Sequence, residues 1–225
     1  MSLASETIHA QSQSGNLAGV KALVEQNMSN VSSKDEDERT PLHWAASGGH
    51  LPIINYLLDN GAAPNAVDDS NWTPLMIACS SGRVDVAERL IRAGANVNAQ
   101  NDTKNSCLHY AASKNQPEIV SLLISSGANV DIRDKYDQTP LFRASSLGCT
   151  PIAKALVEAK CKINIKDVSG NTPLHMAIEG THGELAVWLL SQGANPDSKN
   201  KEDVLPLDMT TDKNVQKYVA NAMKA

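Results

Sequence analysis

Bulky aromatic side chains are scarce in this chain. Three tryptophans, four tyrosines and one phenylalanine make up 4% of its 225 residues, whereas 41% of the residues are hydrophobic. The core must therefore be built mainly from leucine, isoleucine, valine and alanine. Such a composition suits helices that pack closely over small side chains.

The chain also lacks a basic excess, a long apolar run and a secretion signal. Its formal net charge is −5, whereas a general nucleic-acid-binding protein needs a basic surface. No apolar stretch approaches the roughly 18 residues of a membrane-spanning helix, and the opening MSLASETIHAQSQSG has no signal-peptide pattern. We therefore expect a soluble, monomeric protein of the cytoplasm, with the nucleus as a second location, that binds neither nucleic acid nor membrane.

Signatures of catalysis are missing as well. The sequence has no glycine-rich phosphate loop, no GxSxG, no HExxH and no kinase motif. No CxxC pair occurs among the cysteines, so in a reducing compartment we expect free thiols, with Cys79 buried on a helix. We expect a protein that is not an enzyme and needs no cofactor or metal. The cysteines are Cys79, Cys107, Cys149 and Cys161.

What the chain does contain is a repeat of 33 residues. The unit Thr-Pro-Leu begins at Thr40, Thr73, Thr139 and Thr172, and weaker copies in phase begin at Ser106 and Leu205. A degraded copy, Glu6-Thr7-Ile8-His9, lies 34 residues before the copy at Thr40. This spacing predicts seven units, at about 3–37, 38–71, 72–104, 105–137, 138–170, 171–203 and 204–225.

Each unit reads as two helices. Threonine is a good N-cap, and proline suits the next position, where its missing N–H costs nothing. The second helix of each unit carries apolar pairs four residues apart, such as Ile53 and Leu57. First helices are predicted to end near Gly49, Gly82, Asn115, Gly148 and Gly183. Left-handed glycine caps are predicted after the second helices, at Gly61, Gly94, Gly127 and Gly193, with Lys160 in the fifth unit.

A 33-residue period with T-P-L-H resembles the ankyrin repeat. The resemblance covers nearly the whole chain and implies an all-α ankyrin-repeat solenoid of seven repeats. Each repeat would be a helix-turn-helix with a β-turn or hairpin tip, in an elongated and curved single domain over 1–225. The terminal units are expected to act as caps, and the last has Asp208 where histidine is usual.

Recurring polar residues favour structural roles. His9, His43, His109 and His175 close the TPLH unit, while His50 and His182 fall in the turn between the two helices. We interpret all six as hydrogen-bonding groups of the scaffold, because no neighbouring Cys or His completes a tetrahedral metal site. Acidic residues also recur five positions before the threonine and predict turn capping, at Asp35, Asp68, Asp134 and Asp167.

Function in a repeat protein is expected at exposed positions that differ between repeats. Offsets +4, +7 and +8 from the threonine share one helix face, and +4 holds Trp44, Ile77, Tyr110, Arg143 and Met176. Aromatic side chains together with arginine are typical of interface hot spots, and charges of both signs fix the orientation of a bound partner. We predict partner-binding residues on a concave face at Arg39, Asp35, Asp37, Trp44, Asp68, Asp69, Trp72, Tyr110, Lys114 and Arg143. In the alternative, Trp72 only packs over its turn and the charges form a solvated rim.

The segments DEDERTPLHWAASGGH, CLHYAASKN and NTPLHMA are similar to the gankyrin family and its fungal members. This resemblance implies a chaperone for assembly of the 26S proteasome regulatory particle, which binds the C-terminal domain of a base ATPase subunit. It implies that Arg39 and Lys114 pair with acidic residues of that domain, and that Asp37 and Asp69 meet its arginines. The sixth repeat reads Met-Ala-Ile-Glu-Gly from Met176 and lacks the LxCxE segment of animal members, so retinoblastoma binding is not implied.

A general ankyrin adaptor for another protein, such as a kinase or a transcription regulator, remains the alternative function. It would use the same face with a different partner. Reversing the charge of Arg39 and Lys114 together is predicted to abolish binding of the ATPase domain and to leave thermal stability unchanged.

Overall fold

Short helices joined by tight turns make up the structure, a computed structural model that describes residues 7–223. The start of the first predicted repeat, including Glu6, lies outside the described residues, as does the end of the last repeat. Two compact units divide between Tyr110 and Ala111, inside helix α7 (Cys107–Ser113). The helices before α7 are α1 (Ile8–Ser14), α2 (Leu17–Gln26), α3 (Pro41–Gly48), α4 (Leu51–Asp59), α5 (Pro74–Ser80) and α6 (Val84–Arg92).

The second unit continues the same alternation of first and second helices. Its final repeat opens with a 3-10 helix, Pro206–Met209, in place of an α-helix. A second 3-10 helix, Met28–Ser32, lies in the first unit. The α-helices after α7 are α8 (Pro117–Ser125), α9 (Pro140–Ser146), α10 (Thr150–Glu158), α11 (Pro173–Glu179), α12 (Gly183–Ser191) and α13 (Lys213–Ala222).

The all-α class is confirmed. Thirteen α-helices and no β-strand occur between residues 7 and 223, where the only bridge pairs Gln100 with Ser106. Within these residues, no helix has both the length and the apolar character needed to cross a membrane. The prediction of a single domain with seven repeats at the stated boundaries stays a prediction.

Threonine and proline start the first helix of the repeats as predicted. Thr73 Oγ1 accepts a hydrogen bond from the Met76 N–H, and proline follows at the first helical position. In the fifth repeat the Thr139 hydroxyl is buried without a partner in the described structure. Phe142 stands there in place of the histidine whose Nδ1 meets the threonine hydroxyl in the second and sixth repeats, and its ring offers no acceptor.

Both helices of each repeat contribute buried apolar side chains to the core. Ile53, Ile54 and Leu57 of α4 are at most 1% exposed, and the same positions are buried in α6, α8, α10 and α12. The apolar stripe read from the sequence is therefore confirmed.

Left-handed backbone closes the repeats at fixed positions. The predicted caps at Gly61, Gly94, Gly127 and Gly193 have φ between 85° and 93°, and Lys160 has φ 66°. The predicted end of the sixth repeat's first helix near Gly183 is wrong. Thr181 takes the left-handed position there, with φ 61°, while Gly183 is the first residue of α12.

Replacing Lys160 by glycine is expected to raise the free energy of unfolding by about 0.5–1 kcal/mol. Relief of left-handed strain gives about 1–2 kcal/mol, which exceeds the roughly 0.4–1 kcal/mol of extra entropy that glycine gives the unfolded chain. Urea denaturation measures the change. As a matched control, Lys154→Gly in the exposed middle of α10 is expected to cost about 1 kcal/mol. A Lys160→Gly protein no more stable than the parent would contradict the strain argument.

Candidate protein interface

A buried or half-buried acidic or amide side chain closes each of six successive tips. Asp68 Oδ1 accepts hydrogen bonds from the backbone N–H of Ser70 and Trp72, at 3.0 and 2.8 Å. Asp35, Asn101, Asp134, Asp167 and Asn200 each accept the same two bonds. The predicted turn capping is confirmed.

The remaining atom of the capping side chain holds the residues that vary between repeats. At offset +4, Trp44 Nε1 donates to Asp35 Oδ2 at 2.7 Å, and Arg143 donates to Asp134 Oδ2 at 2.6 Å. The Tyr110 hydroxyl accepts a hydrogen bond from Asn101 at 2.8 Å. A constant scaffold thus fixes three different side chains at one position of the repeat.

The tip residue before the threonine reaches the capping residue of the next repeat. Arg39 Nε donates to Asp68 Oδ2 at 3.2 Å. In the second unit, Gln138 Nε2 makes the equivalent bond to Asp167 Oδ2 at 3.0 Å. Arg39 therefore has a structural role in addition to any role in binding.

Four half-buried side chains of the first unit form what we call the aromatic face: Arg39, Trp44, Trp72 and Tyr110. The Arg39 guanidinium lies 5.4 Å from the Trp44 ring centre, a cation–π contact. The Trp72 and Tyr110 rings are 4.4 Å apart at an interplanar angle of 32°. These contacts order the four side chains in two pairs, while part of each side chain remains accessible to a partner.

Two open cavities flank Trp44. One, of about 180 Å³, is lined by Arg39, Trp72, Ile77 and serines of α3 and α5. The other, of about 490 Å³, involves Thr7, His9, Ala10 and Gln13 from the first repeat. Sequence analysis assigned His9 to the scaffold and did not predict Thr7, Ala10 or Gln13 at this face. Trp44 therefore separates two recesses that could each take a partner side chain.

The acidic residues beside the aromatic face differ in exposure. Asp37 and Asp69 are exposed, with Asp37 only 3.7 Å from Arg39 NH1. The Asp68 carboxylate is fully buried. Burial raises the pKa of Asp35, but hydrogen bonds from Trp44 and from the Arg39 and Asp37 backbone outweigh it, so this pKa lies below its ordinary value. Asp35 is therefore ionised at neutral pH.

Two predicted partner residues, Lys114 and Arg143, belong to the second unit. Lys114 is exposed just after α7, and it makes no ion pair in the part of the chain that the structure describes. The Arg143 side chain is 32% exposed and paired with the buried Asp134. Their predicted part in partner binding stays a prediction.

The histidines form structural hydrogen bonds. His43 Nδ1 accepts the Thr40 N–H at 3.1 Å, which leaves Nε2 to donate to the Trp72 carbonyl at 3.0 Å in the next repeat. His175 repeats this pattern. Burial lowers the pKa of both imidazoles, so they are neutral at neutral pH. Among residues 7–223, no group of three or more His, Cys, Asp or Glu side chains could hold a metal ion.

The cysteine thiols are poorly suited to catalysis. All four are buried, as predicted for Cys79. A hydrogen bond with Cys107, together with burial, raises the pKa of the Cys79 thiol. Burial likewise raises the pKa of Cys161 to about 12. Because the thiolate is the reactive form, the raised pKa values disfavour reaction at Cys79 and Cys161.

Comparison with known proteins matches the repeats to one family. The family model for ankyrin repeats (three copies) aligns with residues 8–101, 88–167 and 108–200. It describes a repeat that typically serves as a non-enzymatic scaffold for protein interaction. The ankyrin repeat domain of human ASB11 has a TM-score of 0.86 and 28% sequence identity, with 96% of each chain covered.

Curated relatives match over short segments. The 26S proteasome non-ATPase regulatory subunit 10 of Dictyostelium discoideum is 52% identical over 46 residues, 20% of each chain. Human ankyrin repeat domain-containing protein 49 is 45% identical over 51 residues, 23% of this chain and 21% of the relative. The matches thus span only about a fifth of these relatives, so the similarity supports the repeat and not a particular partner.

Proposed function

The chain belongs to the ankyrin-repeat family, whose domains bind proteins, and from this premise we propose that it is an assembly chaperone of the proteasome. In this proposal it binds the C-terminal domain of one base ATPase subunit of the 26S regulatory particle. The aromatic face of the first unit is the binding surface. The protein acts in the cytoplasm and the nucleus, without catalysis and without a cofactor.

The observation that carries this proposal is the composition of the aromatic face. Trp72 and Tyr110 stack, and Arg39 lies over Trp44, so four residues of hot-spot type are held in place before a partner arrives. Side chains that are already ordered lose little entropy on binding. The recesses on both sides of Trp44 offer places for partner side chains.

Charge gives the proposed interface its register. Arg39 and Lys114 would meet acidic residues of the ATPase domain, whereas the exposed Asp37 and Asp69 would meet basic ones. Asp35 and Asp68 act within the protein by holding Trp44 and Arg39. Charges of both signs at neighbouring positions favour one orientation of the partner over others.

Two observations support a proteasomal subunit as the partner. The sequence segments around Arg39 and Tyr110 are similar to the gankyrin family of assembly chaperones, and a proteasome regulatory subunit is 52% identical over the segment that matches. A general ankyrin adaptor remains the second candidate, since human ankyrin repeat domain-containing protein 49 matches a segment of similar length.

Affinity purification with mass spectrometry tests the proposal. The tagged full chain is expected to recover base ATPase subunits without the mature core particle. A tagged chain carrying Arg39→Gln with Trp44→Arg serves as the matched control and should lose them. If the tagged parent chain recovers other proteins but no ATPase subunit, the result would favour the general adaptor and overturn the chaperone assignment.

A further inference from the structure

The tips of the second unit differ in charge from those of the first. Exposed tip residues of the first unit are mainly acidic, as in Glu36, Asp37, Asp69 and Asp102. In the second unit, lysines occupy or flank the corresponding positions. Five residues there, which we call the basic tips, are Lys135, Tyr136, Lys166, Val168 and Lys201.

Two large apolar side chains are exposed among these lysines. Tyr136 is 49% exposed and Val168 is 43% exposed. Other tips hold Asp37 and Ser70 near these positions, so neither residue is needed to close the turn.

The basic tips are held together by the backbone. The Val168 N–H donates to the Tyr136 carbonyl at 3.0 Å, and the Lys201 N–H donates to the Ser169 carbonyl at 3.0 Å. Three successive tips of the second unit are therefore linked. Tyr136 and Val168 are consequently held beside one another.

The lysines of this surface keep their charge available. Lys135 Nζ lies 5.0 Å from the Tyr136 ring centre, and Lys166 Nζ donates to the Lys199 carbonyl at 2.7 Å. The nearby Lys199 and Arg133 are paired with Asp203 and Asp137. None of the three basic-tip lysines forms an ion pair with any described residue. Glu202, beside Lys201, is the exposed carboxylate of these tips that has no basic partner among the described residues. Three exposed lysines against this one carboxylate leave the surface with an excess of positive charge.

We infer that the basic tips bind an acidic segment of a partner protein that carries aliphatic side chains between its carboxylates. The unpaired lysines attract the carboxylates, while the exposed Tyr136 and Val168 cover the aliphatic groups. Nucleic acid fits less well, because Val168 offers neither charge nor a stacking surface to a phosphate backbone or a base. This site is separate from the aromatic face and does not depend on the proposed ATPase partner.

Fluorescence anisotropy with the full chain tests the inference. The probe is a fluorescein-labelled peptide in which single leucines alternate with pairs of glutamates. Lys135→Glu with Lys201→Glu is expected to weaken binding at least about tenfold, since one lost contact worth about 1.4 kcal/mol suffices. Tyr136→Ser with Val168→Ser should weaken it about threefold to tenfold through lost apolar contact.

Lys154→Glu with Lys217→Glu is the matched control. Both lysines are exposed on α10 and α13 of the same unit, and the control changes the net charge by the same amount. It should alter the peptide affinity by less than about twofold, because it lies outside the basic tips. If the control loses as much peptide affinity as the tip variant, net charge alone would explain the loss, and the proposed site would be overturned. Tighter binding of single-stranded oligouridylate than of the peptide would overturn the assigned partner.

Discussion

A protein carrying Arg39→Gln with Trp44→Arg is expected to bind its partner at least about thirtyfold more weakly while it remains folded. Loss of an interface hot spot costs about 2 kcal/mol or more, which corresponds to this factor. The pair reproduces the fifth repeat, where Gln138 bonds to Asp167 and Arg143 bonds to Asp134. The grafted side chains should therefore satisfy Asp68 and Asp35 in the same way.

The graft also leaves the net charge unchanged, because one arginine is removed and another is added. Tyr56→Gln is its matched control, since it removes an aromatic residue from α4 outside the aromatic face and likewise leaves the net charge unchanged. Isothermal titration with the partner domain measures both variants. Wild-type affinity in the graft, with a normal melting temperature, would show that the aromatic face is not the interface.

Asp68→Ala is expected to lower the free energy of unfolding by about 2–4 kcal/mol. The buried carboxylate accepts two backbone N–H bonds and one from Arg39, and hydrogen bonds to a charged group contribute about 1.5–3 kcal/mol each. These contributions do not simply add, because the partly exposed Arg39 and the backbone N–H groups of the exposed Ser70 and half-buried Trp72 regain hydrogen bonds to water in the variant, which reduces the net loss to about 2–4 kcal/mol. Urea denaturation followed by circular dichroism measures the change.

Asp69→Ala provides the control one residue away. Asp69 is exposed, and its side chain accepts only the neighbouring Ser70 hydroxyl. Its replacement should change stability by no more than about 0.5 kcal/mol. Similar losses for the two variants would contradict the assignment of Asp68 to the scaffold and Asp69 to the surface.

The same contact revises one expectation from the sequence. The sequence predicts that reversing the charge of Arg39 and Lys114 together leaves thermal stability unchanged, as it would if Arg39 were only a surface group. A glutamate there would face the buried Asp68 carboxylate across the position of the present 3.2 Å hydrogen bond. Repulsion between two carboxylates with little solvent between them should lower stability. Arg39→Gln avoids this complication.

Local structure could be predicted because the repeat encodes it locally. Thr73 and Pro74 start a helix through capping and a fixed φ angle, and Ile53 and Leu57 mark the core through helical spacing. Exceptions appeared where a repeat departs from the pattern. Pro206–Met209 is a 3-10 helix, in the unit where Asp208 replaces the usual histidine.

The candidate site was only partly accessible from the sequence. The offset from the threonine predicted that Trp44 and Tyr110 hold equivalent positions on the first helix of their repeats, because helical spacing alone determines which face a position occupies. Burial of Asp68 and its bond to Arg39 depend on how one repeat packs on the next, which no single repeat reveals. The exposure of Tyr136 and Val168 could not be predicted either, because it depends on the conformation of the tips.

The proposed function can be tested by titrating the full chain with the isolated C-terminal domain of each base ATPase subunit. One of these domains is expected to bind with one-to-one stoichiometry. The graft of Arg39→Gln with Trp44→Arg is expected to abolish most of that affinity. Failure of every ATPase domain to bind the folded protein, or equal affinity of the bound domain for the graft and the parent, would contradict the proposed function.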